Sequence, residues 1–351
     1  PTIDALAAEG TNFQRHYTVA PWTNPSVASF VTGLYPHRLN TFSYKTVFPP
    51  DVKTMFDYWN ERAGGNACFL KNFHFFGGRE GIEIVDYVWH THAILDWLEQ
   101  NDDRDYVLYL HYWNTHLPYF TRYSADAYFA GLRDIVALLN SGRAGDVARV
   151  QRLYRHAIER ASEEFVYAVV EKLDKLGSLK DANLVITADH GESFGDREGP
   201  DGKVDVFGMH GRHLYEEVVH VPLILKGPEV PAGKTADNLT RSIDVLPTLL
   251  ALNGWEPDPA SRPMDGRDLF GPGPKAEDLY LMTTYLDRFD DDVISEPFEK
   301  YGYLKDGWKL IHDKDRGVFE LYDLGADPDE RNDLAAREAE RLAAMKTGLA
   351  A

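Results

Sequence analysis

The sequence predicts an α/β protein: a mostly parallel central sheet flanked by helices, with a small C-terminal antiparallel α+β subdomain. Three observations carry this. Short apolar runs at 106–111, 183–188 and 219–225 read as buried strands, because β-rich apolar segments of this length fill a sheet covered on both faces. Helical patterns alternate with them, as a parallel sheet requires of its crossovers. After about residue 265 the texture changes to short strands joined by tight turns.

Taken in order, residues 1–9 form a helix with Pro1 in its first turn and Gly10 beyond its end. Residues 26–32 are small and apolar, and Gly33 closes them, which predicts a second helix. The strand at 106–111 follows. A long helix is expected from about 146 to 176, with apolar positions at Val150, Leu153, Ala157, Ala161 and Phe165, stopped by Gly177. The strands at 183–188 and 219–225 complete the larger unit, placed at 1–265. Strands at 279–285, 301–304, 308–312 and 318–322 make up the second unit, 266–351, with turns such as Lys305-Asp306-Gly307. A terminal helix rich in Ala, Glu and Arg closes it.

With 351 residues the chain can bury one large core and carry a smaller companion. Its net charge of −19 repels phosphate backbones, so nucleic acid is excluded as a general partner. A small anionic ester as substrate would need local compensation, which a bound divalent cation could supply. Cys68 is the single cysteine, which excludes an internal disulfide framework and a cysteine-built zinc site. No apolar run approaches the roughly 20 residues of a transmembrane segment.

Four segments carry chemistry. Asp189-His190-Gly191-Glu192 follows the strand at 183–188, and ligands of open α/β sheets bind at the carboxyl ends of strands. A carboxylate beside an imidazole can ligate one divalent ion; alone, the dipeptide reads first as an Asx-type turn with a solvated histidine. Thr23-Asn24-Pro25-Ser26 runs into the second helix, whose free N–H groups would stabilise an anion. By itself this segment reads as a cap made by Thr23 or Ser26. His111 to Tyr119 follows the strand at 106–111, and His210 to Glu217 precedes the one at 219–225. His74, His90, His92, His156, His220 and His312 read as structural or surface residues.

Together these segments resemble the sulfatase family of the alkaline phosphatase superfamily, in order and over nearly the whole chain. Thr23-x-Pro25-Ser26 with Thr32-Gly33-x-Tyr35-Pro36-His37-Arg38 is similar to Cys-x-Pro-Ser-Arg and its Thr-Gly-x-Tyr-Pro-His-Arg sequel. His111-Tyr112-Trp113-Asn114-Thr115-His116-Leu117-Pro118-Tyr119 resembles His-Tyr-x-Asp-Pro-His-x-Pro-Tyr. Asp189 to Glu192, Leu214-Tyr215-Glu216-Glu217 with Val221-Pro222, Ile243-Asp244-x-x-Pro247, and Glu320-Leu321-Tyr322-Asp323-Leu324 with Asp327-Pro328 are similar to the later signposts.

The resemblance implies a metal-dependent hydrolase of sulfate- or phosphate-type esters. Asp189, His190 and Thr23 would bind one divalent ion, Ca, Mg or Mn on oxygen-rich ligation, with Zn left open by the histidines. Thr23, His116 and His210 would be catalytic, and Asn114, His213 and Arg38 would contact substrate. Departures refine this. Thr23 stands where true sulfatases have a Cys or Ser oxidised to formylglycine, and a secondary alcohol cannot give that aldehyde, so no formylglycine is expected. The family's threonine branch attacks phosphorus directly, which points to phosphodiesters or phosphonate esters. Val27 replaces the signature Arg and Asn114 an Asp. The family's first strand, with one or two metal-binding Asp residues, is expected upstream of Pro1, and 64–92 is shorter than the family leads one to expect. The alternatives are a transferase of phosphoryl headgroups with the same site, or a non-catalytic binding protein on a decayed scaffold.

Overall fold

The structure is a computed structural model describing residues 1–41, 48–63, 65–69, 83–85, 91–119, 125–195, 209–285 and 298–350. Helix α1 (Thr2–Glu9) leads into strand β1 (Thr11–Tyr17) and then helix α2 (Thr23–Thr32). Helices α3 (Pro36–Leu39) and α4 (Met55–Arg62) precede strands β2 (Gly65–Phe69) and β3 (Glu83–Val85). Helix α5 (Thr91–Gln100) leads to β4 (Tyr106–Leu110). Helices α6 (Ala125–Leu139), α7 (Ala144–Arg160) and α8 (Tyr167–Leu176) then run to β5 (Leu184–Thr187). Strands β6 (Leu223–Lys226) and β7 (Lys234–Arg241) complete the larger unit.

Its strands form two sheets, ordered β5-β6-β1-β7 and β3-β2-β4. The pairs β2–β3, β2–β4 and β1–β7 are parallel, whereas β1–β6 and β5–β6 are antiparallel. Parallel pairs are the majority, as expected, and the antiparallel ones make the sheet that holds β1 mixed. The reversal comes from β6. Residues 219–225 do not form one strand: Glu216–Val219 is a helical turn, and Pro222, which has no N–H to give a ladder, precedes β6.

Strand β4 shows why short apolar runs mark this fold. Val107 and Tyr109 face the core formed with Val27, Val31, Phe56, Leu246 and Leu250, while Tyr106, Leu108 and Leu110 pack on Ile94, Trp97, Leu98, Phe165 and Leu173. The period of two puts apolar side chains on both faces, and helices cover both. Val185 of β5 joins the first cluster and Leu184 the second. Helix α2 is buried along most of its length, so it is built from small residues, and each of Val27 and Val31 contributes about 1.5–3 kcal/mol by burial. Gly33 ends it at φ 69°, donating its N–H to the Ser29 carbonyl.

The expected helix over 146–176 is α7 and α8 joined by a π-helical segment, Ala161–Val166. Its side chains are drawn to the start of α1: Thr2 N donates to Glu163 Oε1 at 3.0 Å, and Ile3 N to Ser162 Oγ at 3.3 Å. Capping a neighbouring helix thus accompanies the local widening.

The C-terminal sheet is antiparallel, ordered β11-β10-β9-β8, from β8 (Asp278–Tyr285), β9 (Phe298–Lys305), β10 (Trp308–Asp313) and β11 (Val318–Asp323). Asp306 and Gly307 both take positive φ, 52° and 78°, as a two-residue hairpin turn of this hand requires. The terminal helix is Ala339–Ala350. One face of this unit packs on the rest, where Leu279, Leu281, Leu304 and Ile311 share a cluster with Tyr17, Val19, Tyr35 and Ile243, and the other holds its own cluster of Tyr303, Leu310, Leu321 and Met345. His74 and His90 lie outside the described residues. Among the described residues no helix is long and apolar enough to cross a membrane.

Candidate active site

Helix α2 begins at Thr23, three residues before the start expected from sequence. Its N-cap is Trp22, with no side-chain cap bond, so neither Thr23 nor Ser26 caps the helix. Both hydroxyls are used elsewhere. Ser26 Oγ meets Thr18 Oγ1 at 2.7 Å and donates to the Asp189 carbonyl at 2.5 Å, tying the helix to the loop after β5. Thr23 Oγ1 lies 3.3 Å from His190 Nε2.

That loop is held from its other side by Gly191. Its N–H donates to the Val218 carbonyl at 2.8 Å, and a Cβ here would stand 2.2 Å from the Glu217 carbonyl oxygen. No side chain fits so close an approach of two backbones. The loop is thereby fixed, and Asp189 Oδ2 sits 3.6 Å from His190 Nε2.

Three imidazoles converge here, each anchored through Nδ1. His190 Nδ1 donates to its neighbour Gly191's carbonyl at 2.8 Å, and His116 Nδ1 to the Leu117 carbonyl at 2.9 Å. A carbonyl can only accept, so Nδ1 carries the proton and Nε2 keeps a free lone pair in both neutral rings. His210 Nδ1 lies 2.7 Å from Glu192 Oε1. The rings pack closely: His190 and His210 stack at 4.3 Å between centroids, His116 meets His210 edge-on at 5.1 Å, and Trp113 stacks on His116 at 4.3 Å. His111 belongs to the same group, near enough to Asp189 and His190 for their charges to bear on it, with Tyr109's hydroxyl 3.4 Å from its Nδ1.

Burial governs the protonation of this group. It lowers His116 and His210 to about 4 each, and it lowers His190 and His111 as well, so the rings are neutral at pH 7. It pushes Glu192 up to about 7, against the pull of His116 and His190. For Asp189, burial pushes up, while charge on His190 and His111 and a hydrogen bond from Thr23 bring the carboxyl down to about 2. Imidazoles kept neutral by burial could not draw Asp189 down so far. With the rings neutral, the hydrogen bond from Thr23 favours the ionised form of Asp189 against its burial. Asp189 is then left as a buried carboxylate whose Oδ2 has no hydrogen-bond partner. An orphaned acceptor beside a neutral imidazole lone pair and a hydroxyl is a donor set suited to a cation. Asp189, His190 and Thr23 therefore fit part of a divalent-metal shell. Among the described residues no group of three or more His, Cys, Asp and Glu side chains forms a complete one.

The structure thus gathers Thr23, Asp189, His190, His116 and His210 from the loops after β1, β5 and β4 and from the segment before Glu216. Three other residues expected from sequence make contacts of their own. Arg38 binds the Asp265 carboxylate and the Pro263 carbonyl. Asn114 hydrogen-bonds to Tyr112, whose ring packs on Phe165 at 4.6 Å. His213 packs against Tyr215, 5.2 Å between centroids. Val27 faces the apolar core, so its side chain stands away from the histidine cluster. Glu192, Tyr119 and His111 went unassigned in the sequence, although all three lie in the segments it singled out. Their signal was the motif itself, since each follows a strand end beside an assigned residue.

Fold and motifs together place the chain in the alkaline phosphatase superfamily. The chain belongs to the sulfatase family: the Sulfatase model matches residues 1–255, and that of the N-sulphoglucosamine sulphohydrolase C-terminal region matches 206–349. The low-salt glycan biosynthesis sulfotransferase Agl7 of Haloferax volcanii is 27% identical over 277 residues, 77% of this chain and 61% of that protein. The multifunctional alkaline phosphatase superfamily protein PehA of Trinickia caryophylli is 25% identical over 457 residues, 97% of this chain and 86% of that protein. The phosphonate monoester hydrolase SpPMH from Silicibacter pomeroyi has the same fold, with a TM-score of 0.75 at 18% identity, covering 99% of this chain and 89% of that one. Sulfatases as a family bind a divalent metal.

Proposed function

We propose that this protein is a metal-dependent hydrolase of phosphodiester or phosphonate-type esters that uses Thr23 as nucleophile. The observation that carries this reading is the Thr23 hydroxyl, freed from capping duty at the start of α2 and set 3.3 Å from His190 Nε2 beside the ionised Asp189. A divalent cation, when bound by Asp189, His190 and Thr23, would supply positive charge that lowers the hydroxyl pKa and offsets charge on the ester. Ca, Mg or Mn suits the oxygen donors, and Zn the imidazole.

The residues then divide the work. Thr23 Oγ1, its proton lost to solvent, attacks phosphorus in line, and the P–O bond to the departing alcohol breaks. The N-terminus of α2 faces the gathering negative charge with backbone N–H groups. His210, its neutral ring carrying the proton on Nε2, gives it to the leaving oxygen and takes the Glu192 carboxyl proton at Nδ1, with His116 packed edge-on against it. Water then attacks the phosphothreonine, giving its proton back to His210 and releasing Thr23. No formylglycine is required, since a threonine alcohol cannot form it.

A sulfate ester is the poorer fit, because a threonine sulfate has no second hydroxyl to expel the anion and must wait for water. Phosphonate monoester hydrolysis in a protein of the same fold supports this preference. A second reading, transfer of the phosphoryl group to an acceptor alcohol instead of water, is favoured by the sulfotransferase name of the Haloferax relative. The test compares kcat/KM for matched aryl phosphodiester, phosphonate monoester and sulfate substrates, with and without added alcohols. Phosphorus esters ahead of sulfate support the proposal, and sulfate clearly ahead contradicts it. An alcohol-ester product would select the transferase.

A further inference from the structure

We propose that Glu192 is the positioning residue for His210, acting with Tyr119 to hold that imidazole so its Nε2 faces the ester's leaving oxygen. This rests on the Thr23 reading above, because it names the group that aims the proton donor of that reaction.

The three imidazoles of the site differ in what holds them. His116 and His190 are anchored by carbonyls of their own neighbours, Leu117 and Gly191, so their orientation follows from the local backbone. Among the described residues His210 has no such local anchor in its hydrogen bonds. Its Nδ1 reaches the carboxylate of Glu192, 18 residues away in sequence, at 2.7 Å. That carboxylate is almost fully buried, with the side chain of Glu192 4% exposed and that of His210 13% exposed.

Glu192 is itself clamped. The Tyr119 hydroxyl donates to Oε2 at 3.2 Å, opposite the oxygen that holds His210. Tyr119 is 6% exposed and takes φ 67°, a left-handed conformation that costs a bulky residue about 1–2 kcal/mol. Backbone bonds register the two segments: Ser193 N donates to the Met209 carbonyl at 2.8 Å, and the Thr283 hydroxyl from β8 binds the Gly211 carbonyl. The ring of His210 is thus gripped at Nδ1, stacked on His190, and held by backbone on either side of its own position. One rotation is left to it, about the bond to the ring, and Glu192 fixes that rotation. A carboxylate behind an imidazole sets both the tautomer and the ring direction. Orientation of this kind is worth roughly 10²-fold when a proton donor must meet a leaving group.

The experiment uses full-length, metal-loaded protein and two phosphodiesters, one with a 4-nitrophenyl and one with a methyl leaving group. Glu192→Leu should lower kcat for the methyl ester by about 10²-fold, with KM changed by less than about threefold. The nitrophenyl ester, whose leaving group needs little protonation, should lose less than about fivefold. Glu192→Gln should restore much of the rate, since the amide NH2 donates to Nδ1 and keeps the ring proton on Nε2, while its oxygen accepts from the Tyr119 hydroxyl. In a His210→Ala background, Glu192→Leu should have no further effect on kcat. Should Glu192→Leu fold poorly, Tyr119→Phe gives a smaller, severalfold loss with the same leaving-group bias and the same silence behind His210→Ala. Losses that multiply in the double variant, or that are equal for both esters, would show a merely structural carboxylate and overturn the inference. Full activity in His210→Ala would overturn it too, together with the proton-donor role. Activity in Thr23→Ala would instead overturn the nucleophile, which the Glu192 series does not touch.

Discussion

Two buried clusters of titratable side chains flank the short helix Glu216–Val219, and they are built on opposite principles. On one side Lys309, fully buried on β10, lies 3.0 Å from both Glu216 Oε1 and Glu330 Oε1. Glu330 Oε2 accepts from the Glu216 N–H at 2.6 Å, and the Tyr17 hydroxyl donates to Glu216 Oε2 at 2.9 Å. Cation and carboxylates answer each other there. On the other side, against Gly191, Asp189 keeps an unpartnered oxygen, and the neutral His190 presents its Nε2 lone pair to Thr23 Oγ1 at 3.3 Å. In the first cluster both carboxylates meet the cation at 3.0 Å, that of Glu330 as an ion pair outside hydrogen-bond geometry, and the cluster ties the C-terminal sheet to the larger unit. The second is left open on the atoms that face Thr23. Buried polarity that is satisfied reads as structure, and buried polarity held ready but unsatisfied reads as chemistry.

The sharpest way to break this contrast is at the open cluster. Thr23→Ala should lower kcat/KM for a phosphodiester by at least about 10³-fold, while urea unfolding shows stability within about 1 kcal/mol of wild type. Thr23→Ser should retain measurable turnover, because the primary alcohol keeps the nucleophile. Chelator dialysis should remove activity reversibly. Asp189→Ala or His190→Ala should lower the metal content of purified full-length protein, and unchanged stoichiometry by elemental analysis would refute those ligands.

At the closed cluster the effect should appear in stability instead. Lys309→Ala leaves two buried carboxylates facing each other without their cation, and it should cost about 3–5 kcal/mol by urea denaturation. The folded fraction should keep kcat within about threefold. A large kcat loss at unchanged stability would erase the distinction between the two clusters.

The smallest expected effect concerns His16, buried on β1 with Nδ1 3.1 Å from Thr240 Oγ1. Burial lowers its pKa to about 3, so in the window between about 3 and the unfolded value of 6.5 the unfolded chain binds a proton that the folded one refuses. Stability therefore rises with pH across that window and falls on acidification, by at most about 1.4 kcal/mol per pH unit for one group. Replacing His16 with Gln should flatten the slope measured between pH 6.5 and 4.5. An unaltered slope would place the acid sensitivity elsewhere.

How much of this was legible follows from what each residue's neighbours are. Strands β4 and β5 were readable because apolar residues fill both of their faces. Strand β7, Lys-Thr-Ala-Asp-Asn-Leu-Thr-Arg, was not, since it lies at the edge of its sheet and its first half is mostly exposed. The π segment at Ala161–Val166 is recorded nowhere in local periodicity; it accompanies Ser162 and Glu163 reaching α1, about 160 residues away. Within the site, motif order found Thr23, Asp189, His190, His116 and His210. It could not show that Arg38 is committed to Asp265, or that Glu192 stands behind His210, because both depend on contacts between distant segments.

The central claim, direct attack by Thr23, is tested most directly by trapping. An aryl phosphodiester reaction run with full-length enzyme should be quenched in acid within the first turnover and mapped by peptide mass spectrometry. The account predicts a phosphoryl adduct on the peptide containing Thr23, decaying as product forms and absent in Thr23→Ala. An adduct on another residue, or Thr23→Ala turning over at the wild-type rate, would contradict it.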